Sequence, residues 1–351
     1  MQLIPRTDRQ AANFGIIFSV IVSLAIIALG TFLLRFELAV EDPDAPDMFM
    51  ALAFYKWQLA DPDFWSRATA WIGFALHNLL VWLTIYWAVE KSSRKYTETL
   101  KPVNYWALGI NVVFIILHYL QTAFFYDGLA QDIPSWTAQF TVIMMLFIIL
   151  AMENRRRGLF FGRKIKFRQE FYRWMRDYHG YAFSFAVIYT FWFHPMVFTW
   201  GHLLGFIQVI LVMVQGSLMF TRMHLNKHWV VLIEVLVLPH AAIVAIEQGM
   251  GLVYMFALGF LTIFIVTQMH AFRLKTWVKN LVYLGFIVTL LIIYLLIKPP
   301  YQVNEVIRIP VVEYGLVFAT YGLWLLFARL LGQIDSFRVS GPPPTVPASG
   351  D

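Results

Sequence analysis

The chain has 351 residues, of which 60% are hydrophobic and 14% charged, with a formal net charge of +6. Soluble domains carry about 25% charged residues, so a water-soluble core is excluded. Cysteine is absent, which excludes disulfides, thiolate zinc sites, iron–sulfur clusters and cysteine nucleophiles.

A helix needs roughly 20 mostly apolar residues to cross the hydrocarbon core. In chain order, spans are predicted at 13–35, 67–90, 102–126, 134–153, 180–200, 202–222, 229–248, 251–271, 277–297 and 310–331. The first is too long, and lies too far from a small-residue cleavage site, to read as a signal peptide; it is expected to be retained. No loop is large enough for a soluble domain. Residues 1–340 are therefore expected to form one transmembrane helical domain, an all-α polytopic bundle of about ten spans.

Lysine and arginine in short loops set sidedness. With the amino terminus inside, inner segments collect 22 of the 27 basic residues, nine of them between Arg155 and Arg176. Outer segments hold only Arg35, Lys56, Arg67, Lys298 and Arg308, and the acidic run Glu41, Asp42, Asp44, Asp47, Asp61 and Asp63 is outer too. Both termini are thus expected to be cytoplasmic, in a plasma or inner membrane. This placement also accounts for the net charge, so no nucleic-acid partner is implied.

Three segments do not span. Residues 46–66 mix apolar, aromatic and acidic side chains and suit an outer interfacial helix. Residues 154–178 alternate basic residues with Phe160, Phe161, Phe167, Phe171, Tyr172 and Trp174. That pattern attracts anionic headgroups at about 1 kcal/mol per basic residue, though ordinary topology-setting charge explains it as well. The proline-rich tail 341–351 lacks the apolar residues for a core and is expected to be disordered. Ten spans would permit an inverted five-plus-five arrangement, but the two halves show no visible correspondence.

Polar residues inside the spans turn away from lipid and mark functional candidates. Several recur at seven-residue spacing, which keeps them on one helix face: Asn104, Asn111 and His118; Gln208, Gln215 and Arg222; His240 and Glu247; Gly73, His77 and Thr84. At 1.5 Å per residue, His77, His118, His194 and His240 all fall within roughly 6 Å of the midplane, slightly to its outer side. Pro239 frees the carbonyl of Val235 and kinks the helix beside His240, and Pro195 breaks the chain after His194. His202 lies further out; His224, His228 and His270, with Glu234, form an inner group, the first two as H-x-x-x-H.

Imidazole ligates metals and haem, so His118, His194 and His240, with His77 fourth, are candidate ligands for haem b or a transition metal (Fe, Cu or Zn). His202, His224, His228 and His270 are secondary candidates. Glu247 would handle protons. The plainer alternative is hydrogen-bonding glue between helices, at about 0.6 kcal/mol per contact; it is preferred for Asn111, Gln208, Gln215 and Thr84, and for the inner histidines. No phosphate-cradling loop, dinucleotide fingerprint, nucleophile elbow or H-E-x-x-H motif is present.

Three functions follow. The first is a metal- or haem-dependent membrane oxidoreductase acting on a lipid-soluble small molecule. The second is a secondary transporter or channel, with Arg222 and Glu247 at its mouths and protonation of His240 or His118 coupled to transport. The third is a non-catalytic subunit of a larger membrane complex. Stripes converging on one cavity would favour the first two.

Overall fold

The computed structural model describes residues 4–38, 57–247 and 251–331. Helix makes up 78% of it and no strand occurs among the described residues, which makes the chain all-α. The helices are α1 Asp8–Leu33, α2 Phe64–Glu90, α3 Pro102–Phe125, α4 Ser135–Arg157, α5 Gln169–Phe193 and α6 Trp200–Ser217. They continue as α7 Lys227–Val235, α8 Val237–Glu247, α9 Val253–Val266, α10 Thr276–Ile292 and α11 Glu305–Leu331.

Among the described residues, nine helical stretches are long and apolar enough to cross a membrane, with α7 and α8 counted as one. The predicted fifth span is the exception. Its helix, α5, starts eleven residues earlier than expected and carries Arg173, Arg176, Asp177 and His179 in its first half. It stops at Phe193 because the residue before a proline is pushed out of the α region, and His194 accordingly has extended backbone. The sixth span is also shorter than predicted. Helix α6 ends at Ser217, and residues beyond it turn back so that Asn104 Nδ2 can reach the carbonyls of Ser217 and Met219 at 2.8 and 2.9 Å. Of the proposed interfacial segment, residues 46–56 lie outside the described residues, as does the tail 341–351; Phe64–Ser66 belong to α2.

Helix starts obey local chemistry. Four amide groups at each helix start lack intrahelical partners, and short polar side chains supply them. Thr7 and Gln10 form a reciprocal capping box on α1. Asp63 accepts from Ser66 N at 2.6 Å on α2, and Asn226 accepts from His228 N and Trp229 N on α7. Pro239 has no N–H to offer Val235, and the helix is interrupted at Leu236, between α7 and α8.

Packing then decides which faces meet. Helix α1 buries Ala11, Ala12, Gly15, Ser19 and Ser23, and it packs on α6. The backbones approach so closely that a Cβ on Gly15 would sit 2.7 Å from Val214 Cγ2, the small-residue contact typical of helices in lipid. Helices α4, α5, α6, α8, α9 and α11 each pack on the next and α11 returns to α4, closing a ring. Helices α2 and α3 pack on each other, α2 on α5 and α3 on α6. Helix α10 buries none of its residues. Its Leu281, Leu284, Ile287, Val288 and Leu291 are exposed, as a lipid-facing helix requires.

Candidate functional site

The four outer histidines occupy neighbouring positions, but in file rather than around one point. His77 is fully buried, stacked on Phe114 with ring centroids 4.5 Å apart. The indole N–H of Trp192 donates to His77 Nδ1 at 3.2 Å. An indole can only donate, so Nδ1 accepts, and Nε2 is left to donate to Asn111 Oδ1 at 2.9 Å. Both nitrogens are therefore used. Asn111 in turn donates to Ser217 Oγ at 2.9 Å.

Trp192 separates His77 from His118, whose ring centroid lies 4.4 Å from the indole. The fully buried His118 donates through Nε2 to the carbonyl of His194 at 2.8 Å, and its Nδ1 is 3.1 Å from Gln121 Oε1. Gln121 Nε2 donates to the carbonyl of Asp127 at 2.8 Å. His194 donates through Nδ1 to the carbonyl of Thr190 at 3.0 Å, and its ring meets His202 edge-on at 5.4 Å. His202 Nδ1 lies 2.9 Å from Thr199 Oγ1. The ring of His240 packs where Gly205 leaves room, since a Cβ there would stand 2.9 Å from His240 Cε1. Its Nδ1 is buried and has no hydrogen-bond partner.

Glu247 reaches from the end of α8 to the start of α6. Its carboxylate accepts from Trp200 N at 2.9 Å, Gly201 N at 3.0 Å and Thr199 Oγ1 at 3.2 Å. An anion on these unpaired amides is stabilised by the helix dipole.

The inner histidines are spread out. His224 lies within a 3-10 turn, Met223–Leu225, and His228 at the start of α7 beyond the Asn226 cap, so the H-x-x-x-H pair does not lie on one helix. His224 donates to the carbonyl of Gln215 at 2.8 Å. Burial, with His179 and Arg156 nearby, pulls its pKa down to about 4. His228 faces Phe272, and His270 Nε2 is 3.3 Å from Tyr283 Oη. Among the described residues, no group of three or more His, Cys, Asp or Glu is placed to hold a metal ion.

The other stripe residues act locally. Gln215 donates to the carbonyl of His224 at 3.0 Å and accepts from Trp229 Nε1 at 2.8 Å, while Thr84 bonds the carbonyl of Leu80 on its own helix. Arg222 pairs with Glu98 at 2.8 Å on the exposed surface.

A different constellation is built at the end of α4. Arg157 at the end of α4 and Glu234 on α7 form an ion pair at 2.8 Å, with side chains 1% and 2% exposed. In the ring of helices, α4 and the α7–α8 span stand on opposite sides, separated by α5–α6 one way and α9–α11 the other. The turn Gln268–Ala271 packs on both α4 and α7, and the pair ties the two helices together beside it. The pair's hydrogen bonding is incomplete: Glu234 draws on Gln268 as well as Arg157, but beyond the Nη2 contact neither Nε nor Nη1 of Arg157 has a partner. Glu234 lines a small cavity with Val235, Phe260, Phe264 and Gln268. Val235 is the residue whose carbonyl loses its partner to Pro239. Glu234 was visible in the sequence as an intramembrane carboxylate, but Arg157 was one of nine basic residues spread between Arg155 and Arg176. Another buried carboxylate, Glu313 on α11, is 1% exposed with Oε2 unpartnered, and its position well inside an apolar span was the signal for it.

Asp127 is buried in the turn after α3, with Oδ1 accepting from Gly128 N at 2.9 Å and Oδ2 unpartnered. Burial pushes its pKa up to about 7; Asp132 adds to the rise, while the Gly128 amide and Arg67 oppose it.

No protein family, curated protein or solved structure matches the chain. The functional reading therefore rests on residues and geometry alone.

Proposed function

We propose that the chain is a ten-pass secondary transporter with both termini on the cytoplasmic side, whose pathway runs through the ring of helices at the Arg157–Glu234 pair. The observation that carries this reading is the pair itself. It is a buried, under-bonded charge pair tying α4 to α7, beside a small cavity and an interrupted helix. Ionisable residues in a membrane interior are costly and mark ion and substrate pathways. Interrupted spans supply free backbone groups at such sites. The distribution of basic residues supports ten crossings, with α5 as the fifth. Full-length protein in sealed vesicles should move solute in response to a proton or sodium gradient, and Arg157→Gln should abolish the movement. Vesicles that dissipate neither gradient under any solute condition would refute the reading.

A second reading keeps the haem or metal centre and a lipid-soluble substrate. His240 favours it, because its Nδ1 is buried and free of a hydrogen bond near His194. Against it, both nitrogens of His77 are occupied and His118 spends Nε2 on a carbonyl. An absorption spectrum and elemental analysis of protein purified without chelator separate the two readings.

A further inference from the structure

We propose that the Arg157–Glu234 pair is a loading site for a small monovalent anion, with the class of chloride or formate, taken up together with one proton; this rests on the transporter reading and names its substrate class. The guanidinium is always charged and offers five donors, yet beyond the contact of Nη2 with Glu234 neither Nε nor Nη1 of Arg157 has a hydrogen-bond partner. Glu234 is its counter-charge at 2.8 Å. A second full negative charge beside Glu234 would be repelled, and a cation would be repelled by Arg157. The pair therefore excludes both while Glu234 is ionised.

One proton changes this balance. When it binds the carboxylate of Glu234, the side chain becomes neutral and its hold on Arg157 weakens. An anion can then take the place of the carboxylate on the guanidinium. The site begins with one positive and one negative charge, and it ends with one positive charge, one neutral acid and one anion. Net charge is zero in both states, so loading adds no uncompensated charge to the dry interior, where such a charge is most costly.

The surroundings fit this exchange. A small cavity lies against Glu234 but is not lined by Arg157, so it offers space for the neutral carboxyl to turn into when an anion takes its place on the guanidinium. The cavity walls are apolar at Phe260 and Phe264, with neutral Gln268 as the polar group. The charged and titratable neighbours are few. Arg157 and Glu153 come from α4, the segment after α9 contributes Gln268, and Tyr314 of α11 lies close enough to feel Arg157. From α6, neutral Gln208 approaches the carbonyl of Ile233 at 3.5 Å.

Thermal unfolding of the full chain in detergent, titrated with chloride or formate, tests the site without requiring flux. Both anions should stabilise the wild type in acidic buffer and much less in alkaline buffer. Glu234→Gln imitates the protonated acid. It should respond in both buffers, with alkaline affinity raised by about tenfold or more, as removing a charged competitor from a guanidinium requires. Arg157→Gln, and the double variant Arg157→Gln/Glu234→Gln if the single one fails to fold, should lose the response. An unchanged anion response in the Arg157 variants overturns the proposal, and so does a Glu234→Gln protein blind to both anions. Vesicle flux separates this failure from that of the broader reading. Cation-coupled transport without anion binding leaves the transporter standing and removes the anion. Anion binding in Glu234→Gln without any flux keeps the binding site and removes transport.

Discussion

Breaking the Arg157–Glu234 pair from one side should cost far more than removing it whole. At 2.8 Å, the attraction between unit charges is about 6 kcal/mol at an effective dielectric constant of about 20. Desolvation of each ion costs several kcal/mol, so the intact pair is close to neutral relative to apolar residues of similar volume. A single substitution retains the desolvation cost of the surviving ion but not the attraction. Glu234→Leu or Arg157→Met alone should therefore destabilise the protein by about 3–5 kcal/mol. The double variant should lie within roughly 1 kcal/mol of wild type, giving a large favourable coupling in the cycle. Reversible denaturant unfolding in mixed micelles, followed by tryptophan fluorescence, measures all four corners. Additive losses would refute the reasoning, because they would show each charge satisfied independently of the other.

The remaining predictions concern other buried polar contacts. Gly73→Ala should destabilise by about 1–3 kcal/mol, because its Cβ would fall 2.2 Å from Trp192 Cη2; thermal unfolding in detergent shows whether the indole can move aside. Glu247→Gln should cost about 1 kcal/mol through loss of the anionic cap on α6, and less at high salt. The pH dependence has two limbs of opposite sign. Asp127 has a folded pKa near 7 against 3.8 unfolded, so its contribution is full at low pH and is lost as pH rises between those values, by up to about 4 kcal/mol; Asp127→Asn should remove that alkaline loss. His224 has a folded pKa near 4 against 6.5, so its contribution is present above 6.5 and is lost as pH falls to 4, by about 3 kcal/mol. In His224→Gln, the acid limb of a stability–pH curve should flatten while the alkaline limb is unchanged.

Much of the fold was legible in the chain. The predicted boundaries of the second, third and ninth spans fall within a few residues of α2, α3 and the stretch Thr276–Ile297. The breaks at Pro195 and Pro239 were readable because proline removes a donor wherever it stands. The helical start of α5 was not, because Gln169–Tyr178 reads in sequence as part of the basic, aromatic segment 154–178 that does not span. At the candidate sites the residue types were legible and their partners were not. His118 bonds a carbonyl 76 residues away, and Glu247 caps a helix start 46 to 48 residues before it. Arg157 sat in a run of basic residues whose other members looked identical in sequence.

What the sequence determined alone is the set of apolar helical rods and the points where they break. In lipid each backbone must satisfy its own hydrogen bonds, so length and hydropathy of a local string suffice. What the tertiary structure decided is the rotation and depth of each rod, and hence which polar atoms meet. Arg157 and Glu234 become a pair because α4 and α7 bring them to 2.8 Å. That distance is a property of packing among many helices, and no single stretch of residues encodes it.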